Sequence, residues 1–264
     1  MGVKCVIRTY RSGRVIEKSK FYVHERVAVR KGKVKGNTGA AKRDANARAA
    51  VKVVARTLNC NADHKDVLLT AKYTDEWLAA FSSEEEQDKL TEKFLRRLRY
   101  ALKKEGVELR ALWVHSEIDG ETGRKVRPHV HIVLMGGGIT FRDGEWWVGE
   151  KTMTQIWGMG STYTEQLHDQ ADFTPLALYL LRQARRGENV KKYSCTRNLK
   201  KPEITETVSY LDGPVKAPAK ALLLESGEYN IETGCHYIRY LAPEKKEDCV
   251  GGRSGKQTTE RRNR

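Results

Sequence analysis

His129 and His131 sit one residue apart in Arg127-Pro128-His129-Val130-His131-Ile132-Val133-Leu134, an apolar run that reads as a β-strand. Alternation along a strand sends both imidazoles to one side of a sheet, roughly 7 Å apart. Neutral imidazole is the commonest protein metal ligand, and a strand holds its direction better than a loop. The pair suits one cation if a third ligand joins it. Upstream, Leu112-Trp113-Val114-His115-Ser116-Glu117 reads as the preceding strand, and Asp119-Gly120-Glu121-Thr122-Gly123 as the turn of a hairpin. Glu117 is then the expected carboxylate partner. The set Glu117, His129 and His131 fits Mn²⁺ or Mg²⁺, with Zn²⁺ as the alternative, and leaves positions open for catalysis. His115 has the same side-chain parity as Glu117 and is the other candidate ligand. The plain structural alternative is a hydrogen-bonded histidine pair in a half-buried sheet.

Tyr179 is the candidate nucleophile. Thr174-Pro175 predicts a helix with Thr as N-cap and Pro at the first helical position, running through Arg185. On it Tyr179 shares a face with Arg182, Gln183 and Arg186. A tyrosine hydroxyl, with an ordinary pKa near ~10, needs nearby positive charge, a base or a metal to attack at neutral pH. Arg182 and a bound cation would provide this. Taken alone, the residues favour a tyrosine packed on the sheet with its hydroxyl hydrogen-bonded.

These groups need a scaffold. Val67 to Tyr73 reads as a central strand, and Ser83-Glu84-Glu85-Glu86 as a capping box opening a helix that Gly106 stops. Strand, helix and the histidine hairpin give a β-α-β-β order, the start of an α+β ferredoxin-like or RRM-like sandwich with a largely antiparallel sheet. Before it, residues 1–64 hold strands at Val3–Tyr10 and Lys20–Val29, a basic Gly-rich loop around Arg30 to Asn37, and a basic helix over Ala41–Leu58, together an extension of the core. Residues 65–248 form the main domain, with a short helix from Thr152 to Trp157 and a last strand pair within Glu228–Tyr240. Residues 249–264 read as a disordered basic tail. Trp146, Trp147 and Trp157 are more often packing residues than base-stacking ones.

The chain has 264 residues, with 49 Lys and Arg against 34 acids and a net charge of +15, which points to a polyanionic partner, nucleic acid first. Arg185, Arg186, Lys191, Lys192, Arg197, Lys200 and Lys201 are the candidate track for a DNA backbone. No apolar run is long enough for a membrane span, and no signal peptide is expected, so a cytoplasmic location in a bacterial host fits best. Five scattered cysteines with no Cys-x-x-Cys pair argue against a zinc ribbon or disulfide framework. Gly251-Gly252-Arg253-Ser254-Gly255-Lys256-Gln257 lacks P-loop spacing, which argues against a fused ATP-driven helicase.

Over about residues 65 to 240 the pieces resemble the HUH endonucleases, and among them the rolling-circle replication initiators of plasmids, integrative elements and single-stranded DNA phages. Val67-Leu68-Leu69-Thr70-Ala71-Lys72-Tyr73 is similar to the family's first motif, Pro128-His129-Val130-His131 to its metal-binding motif, and Glu117 to its upstream acidic ligand. Tyr179-Leu180-Leu181-Arg182 resembles the Tyr-x-x-Lys nucleophile motif, and Tyr193 to Pro202 the Ser-Arg-x-Leu-Lys-x-Pro segment. The resemblance implies metal-dependent nicking and rejoining of single-stranded origin DNA through a 5′-phosphotyrosine, with host polymerase and helicase as partners. Arg182 stands where the family has Lys, and a guanidinium clamps phosphate without shuttling a proton. Gln183 stands where paired-tyrosine members carry a second tyrosine. The alternatives are a relaxase or single-strand transposase of the same superfamily, or a non-catalytic basic nucleic-acid-binding protein.

Overall fold

A computed structural model describes residues 3–24, 39–80, 83–185, 191–210 and 213–243. The expected basic loop at Arg30 to Asn37, Arg186 and the 249–264 tail lie outside them. In chain order the first elements are β1 (Val3–Ser12), β2 (Val15–His24), α1 (Ala40–Asn61), β3 (Val67–Lys72), α2 (Asp75–Ala80) and α3 (Glu84–Lys104). Then come β4 (Arg110–Ile118), β5 (Lys125–Met135), β6 (Thr140–Arg142), β7 (Glu145–Val148), β8 (Lys151–Thr152) and α4 (Met153–Trp157). The chain continues through β9 (Thr162–Gln166), α5 (Thr174–Arg182), β10 (Ser194–Cys195), β11 (Glu203–Val208), β12 (Leu222–Ser226) and β13 (His236–Leu241). The expected α+β class is observed. None of the described helices is long and apolar enough to cross a membrane.

The sheet that carries the histidines has the order β10-β4-β5-β3-β9, with every neighbouring pair antiparallel. β5 lies between β3 and β4, so the β3-α3-β4 unit is split by the histidine strand. α3 forms where its sequence says. Ser83 Oγ accepts the Glu86 N–H at 3.3 Å, Glu84 to Glu86 occupy the positive helix start, and Lys103 and Lys104 the negative end. Its apolar stripe, Phe94, Leu95, Leu98 and Leu102, packs on Leu69, Ala71, Ala111, Val130 and Ile132 of one sheet face. The opposite face, through Leu68, Leu112, Val114, Val133 and Met135, packs on α1 and on Ala177 and Leu180 of α5. Alternation thus gives one sheet two cores. Trp157 belongs to the first core, fully buried with its indole N–H donated to the Lys72 carbonyl at 2.9 Å.

A second antiparallel sheet has the order β11-β1-β2-β13-β12. It joins the N-terminal strands to those after residue 202, so the expected boundary between residues 64 and 65 does not separate two sheets. α1 bridges the sheets. Arg56 donates to both Glu17 carboxylate oxygens, at 2.9 and 2.7 Å, while α1 packs against α5.

Candidate active site

Register decides which side chains meet. β5 pairs with β3 so that Thr70 lies opposite His131 and Lys72 opposite His129; with β4 the partners are Val114 opposite His131 and Ser116 opposite His129. Cross-strand partners share a face. His129, His131, Thr70 and Ser116 therefore lie on the face covered by α5, in line with Val133 and Met135.

The two imidazoles turn toward each other more than an ideal pleat requires. Their ring centroids are 4.6 Å apart and their Nε2 atoms 3.0 Å apart. A carbonyl can only accept, so the 2.8 Å contact between His129 Nδ1 and the Arg127 carbonyl places the proton on Nδ1 and a bare lone pair on Nε2. On His131, Nδ1 meets the Thr70 hydroxyl at 3.0 Å. Burial, with His129 beside it, pushes the His131 pKa down to about 4, and burial lowers that of His129 as well. Both rings are held neutral, the form that binds a metal.

α5 supplies the other two groups. The Tyr179 ring stands edge-on to His131 with centroids 5.5 Å apart, and the side chain is half exposed. The helix ends at Arg182, three residues earlier than expected, and at Gln183 the amide Oε1 comes within 3.2 Å of His131 Nε2. Phe173, rather than Thr174, is the N-cap; Asp172 Oδ1 accepts the Thr174 N–H and hydroxyl at 3.0 and 2.6 Å. The hairpin turn packs on the other helix end, where a Cβ on Gly120 would lie 3.1 Å from Gln183 Cγ and 3.3 Å from Arg182 Cβ. A side chain here would press the turn against the helix end, which must then give by a few tenths of an ångström.

The expected placement of Glu117 is corrected by the register. Side chains alternate, so with Ser116 facing the histidines, Glu117 points to the α3 side, at an irregularity between Ser116 and Ile118. Its carboxylate lies 3.4 Å from Arg185 Nε. His115 has the same orientation, with Nε2 3.0 Å from Asp88 Oδ1, and this contact holds the Asp88 carboxyl below the usual range. Among the described residues no three His, Cys, Asp or Glu side chains form a metal-binding group. Gln183 is the group that joins the pair, and only its position four residues after Tyr179 hinted at it.

Arg185 also departs from expectation. Because α5 has already ended, Ala184 bridges to Ser116 and the Arg185 N–H bonds the His115 carbonyl, which carries the guanidinium around the β4 edge. It is 4% exposed and meets Gln87, Asp88 (3.2 Å), Glu84 (3.8 Å) and Glu117, so it cannot belong to an exposed DNA track. Arg182, Lys191, Arg197, Lys200 and Lys201 are exposed, and Lys192 is partly so. They do not form one line: Arg197 sits by Arg96 and Arg99 of α3, whereas the Lys200 backbone is held by Asn61 of α1. Tyr193, the other tyrosine near the basic segment, packs on the α1–α5 core, and burial raises its pKa.

Residues 66–184, which span β3 to the end of the Tyr179 helix, match the model of the family described as Replication-associated protein ORF2/G2P. The matched segment contains the histidine strand, Tyr179 and Gln183, and over it the chain is similar to that family. No curated protein matches the chain, and no solved structure does.

Proposed function

We propose that the chain initiates replication by nicking and rejoining single-stranded origin DNA, with Tyr179 as the nucleophile. The observation that carries the reading is the half-exposed Tyr179 ring set against His131, where His129, His131 and Gln183 converge. The Tyr179 oxygen attacks one phosphodiester, forming a 5′-phosphotyrosine and releasing a 3′-hydroxyl. The hydroxyl proton passes to solvent or to the leaving oxygen. The phosphotyrosine conserves the bond, so the same site can rejoin ends after a host polymerase and helicase have acted. Arg182, exposed on the last turn of α5, clamps a phosphate oxygen, and Lys72, across from His129, adds positive charge to the same face.

The donor set fits a divalent cation. Two neutral imidazoles and an amide oxygen converge, and the His129 tautomer directs its Nε2 lone pair toward them; His131, whose Nε2–H faces the Gln183 oxygen, would hold an ion with its proton moved to Nδ1, where the Thr70 hydroxyl can accept it. This nitrogen-rich set suits Mn²⁺ or Zn²⁺ better than Mg²⁺. Such a cation, when bound, supplies charge neutralisation at the phosphoryl oxygens. The test is incubation with a single-stranded origin oligonucleotide and Mn²⁺, followed by mass spectrometry. The expected adduct is on Tyr179, and Tyr179→Phe forms none while still binding the oligonucleotide. An adduct on Tyr193 or another tyrosine overturns the assignment.

A further inference from the structure

The face of α3 turned away from the core is strongly basic. Between residues 89 and 104 the helix carries seven lysines and arginines against one acid, Glu92, and all eight are exposed. Lys89, Lys93, Arg96, Tyr100 and Lys104 recur every three or four residues, opposite the buried Phe94, Leu98 and Leu102. In the middle of the stripe Tyr100 is 65% exposed, with the Lys104 ammonium 4.9 Å from its ring centroid. Along the stripe runs an open groove of about 710 Å³ between α3 and the β7–β8–α4 layer, with Arg96, Tyr100, Lys104 and Lys151 in its walls. Of the two acids that line it, Glu105 is turned against the β7–β8 turn, where a Cβ on Gly149 would lie 2.6 Å from its Oε1; the other is Glu150.

We propose that this groove is a second binding site for single-stranded nucleic acid. Its chemistry is that of a sequence-tolerant single-strand site, with cations spaced along a groove to meet the backbone and an exposed aromatic ring on which a base can stack. The ring matters to the choice of ligand, because a base in a duplex has both faces already stacked and offers none to Tyr100. α3 packs on the sheet face opposite the one that bears His129, His131 and Tyr179. The groove therefore holds a segment distant from the nicked bond. Arg97 keeps the groove's shape rather than contacting ligand, since it donates to the Ile156 and Trp157 carbonyls and ties α3 to α4. The choice of DNA over RNA rests on the proposed nickase reading; the groove itself does not.

The full chain is titrated into fluorescein-labelled (dT)30 and followed by anisotropy over a range of salt. Tyr100→Ala is expected to weaken binding about tenfold, as loss of one stacked base would. The Arg96→Glu and Lys104→Glu double variant is expected to flatten the plot of log affinity against log salt by about 1.4, two contacts at roughly 0.7 each. An oligonucleotide carrying 5-iodouracil is expected to photocrosslink to Tyr100. Wild-type affinity and slope in these variants with no crosslink at Tyr100 overturns the proposal, as does a 20-base-pair duplex that binds more tightly than (dT)30 and loses affinity in the same variants. The two readings fail separately. Wild-type affinity and slope in the groove variants, with no crosslink at Tyr100, in a chain that still forms the Tyr179 adduct refute the groove alone. Weakened binding by Tyr100→Ala in a chain that forms no adduct refutes the nickase alone.

Discussion

At Gln183 an amide oxygen ends 3.2 Å from His131 Nε2, while the Glu117 carboxylate is 3.4 Å from Arg185 on the other side of the sheet. These two contacts separate the roles of the side chains. Gln183→Ala is expected to weaken Mn²⁺ binding by about tenfold or more, and Gln183→Glu to preserve it, because a carboxylate oxygen can replace the amide oxygen. Glu117→Gln is expected to leave Mn²⁺ affinity unchanged. Calorimetric titration with Mn²⁺ measures all three, and a large loss in Glu117→Gln with none in Gln183→Ala would restore the carboxylate to the site. The histidine pair was legible in the sequence because alternation on one strand depends on that strand alone. The third group was not, because it depends on register between strands, and a shift of one residue exchanges Ser116 for Glu117 on the histidine face. Tyr179 was legible as a residue type on a helix; its contact with His131 was not, since it depends on how α5 lies across the sheet.

The helix that carries Tyr179 is short, and its position is set at its ends. Apolar periodicity locates α5 but not its end at Arg182, because Arg182-Gln183-Ala184-Arg185 are all ordinary helix residues and contain no stop signal. What ends it is tertiary: Ala184 pairs with Ser116, and Arg185 is drawn into the carboxylates at the start of α3. Arg185→Leu removes a nearly buried cation, and its partners Glu117 and Asp88 are exposed enough to rehydrate. The expected destabilisation is about 1–3 kcal/mol, less than for a fully buried pair. Urea unfolding measures it, and a change within about 0.5 kcal/mol, the size of an ordinary surface substitution, would show that Arg185 does not anchor the helix end. At the hairpin turn, Gly120→Val must displace Gln183 or Arg182. Adduct formation is expected to slow several-fold with little change in oligonucleotide affinity, and an unchanged rate would mean that the turn does not set the helix end.

Across the whole molecule, the two sheets are joined through this same helix. The second sheet was hard to see from sequence because β1 and β2 pair with strands that follow at a great distance along the chain, as in Val6 with Val208 and Val15 with Leu241, and local patterning does not specify such partners. Its consequence for the site runs through β13. Arg239 reaches from that strand to Asp172, with an N–O distance of 2.9 Å, and to the Thr174 hydroxyl, while Asp172 also caps the first turn of α5. The Arg239 and Asp172 side chains are each only 16% exposed, so the ion pair is well shielded from solvent. α5 is thus held at its start by the second sheet and at its end by α3, with Tyr179 between the two anchors. Arg239→Leu is expected to destabilise the chain by about 1–3 kcal/mol and to slow adduct formation without altering affinity for the oligonucleotide. Asp172→Asn should have a smaller effect, because the amide still accepts from Thr174. In a double-mutant cycle the two residues should couple by about 0.5–3 kcal/mol, as contacting partners do. Coupling near zero, together with an unchanged adduct rate in Arg239→Leu, would show that the second sheet has no part in positioning Tyr179.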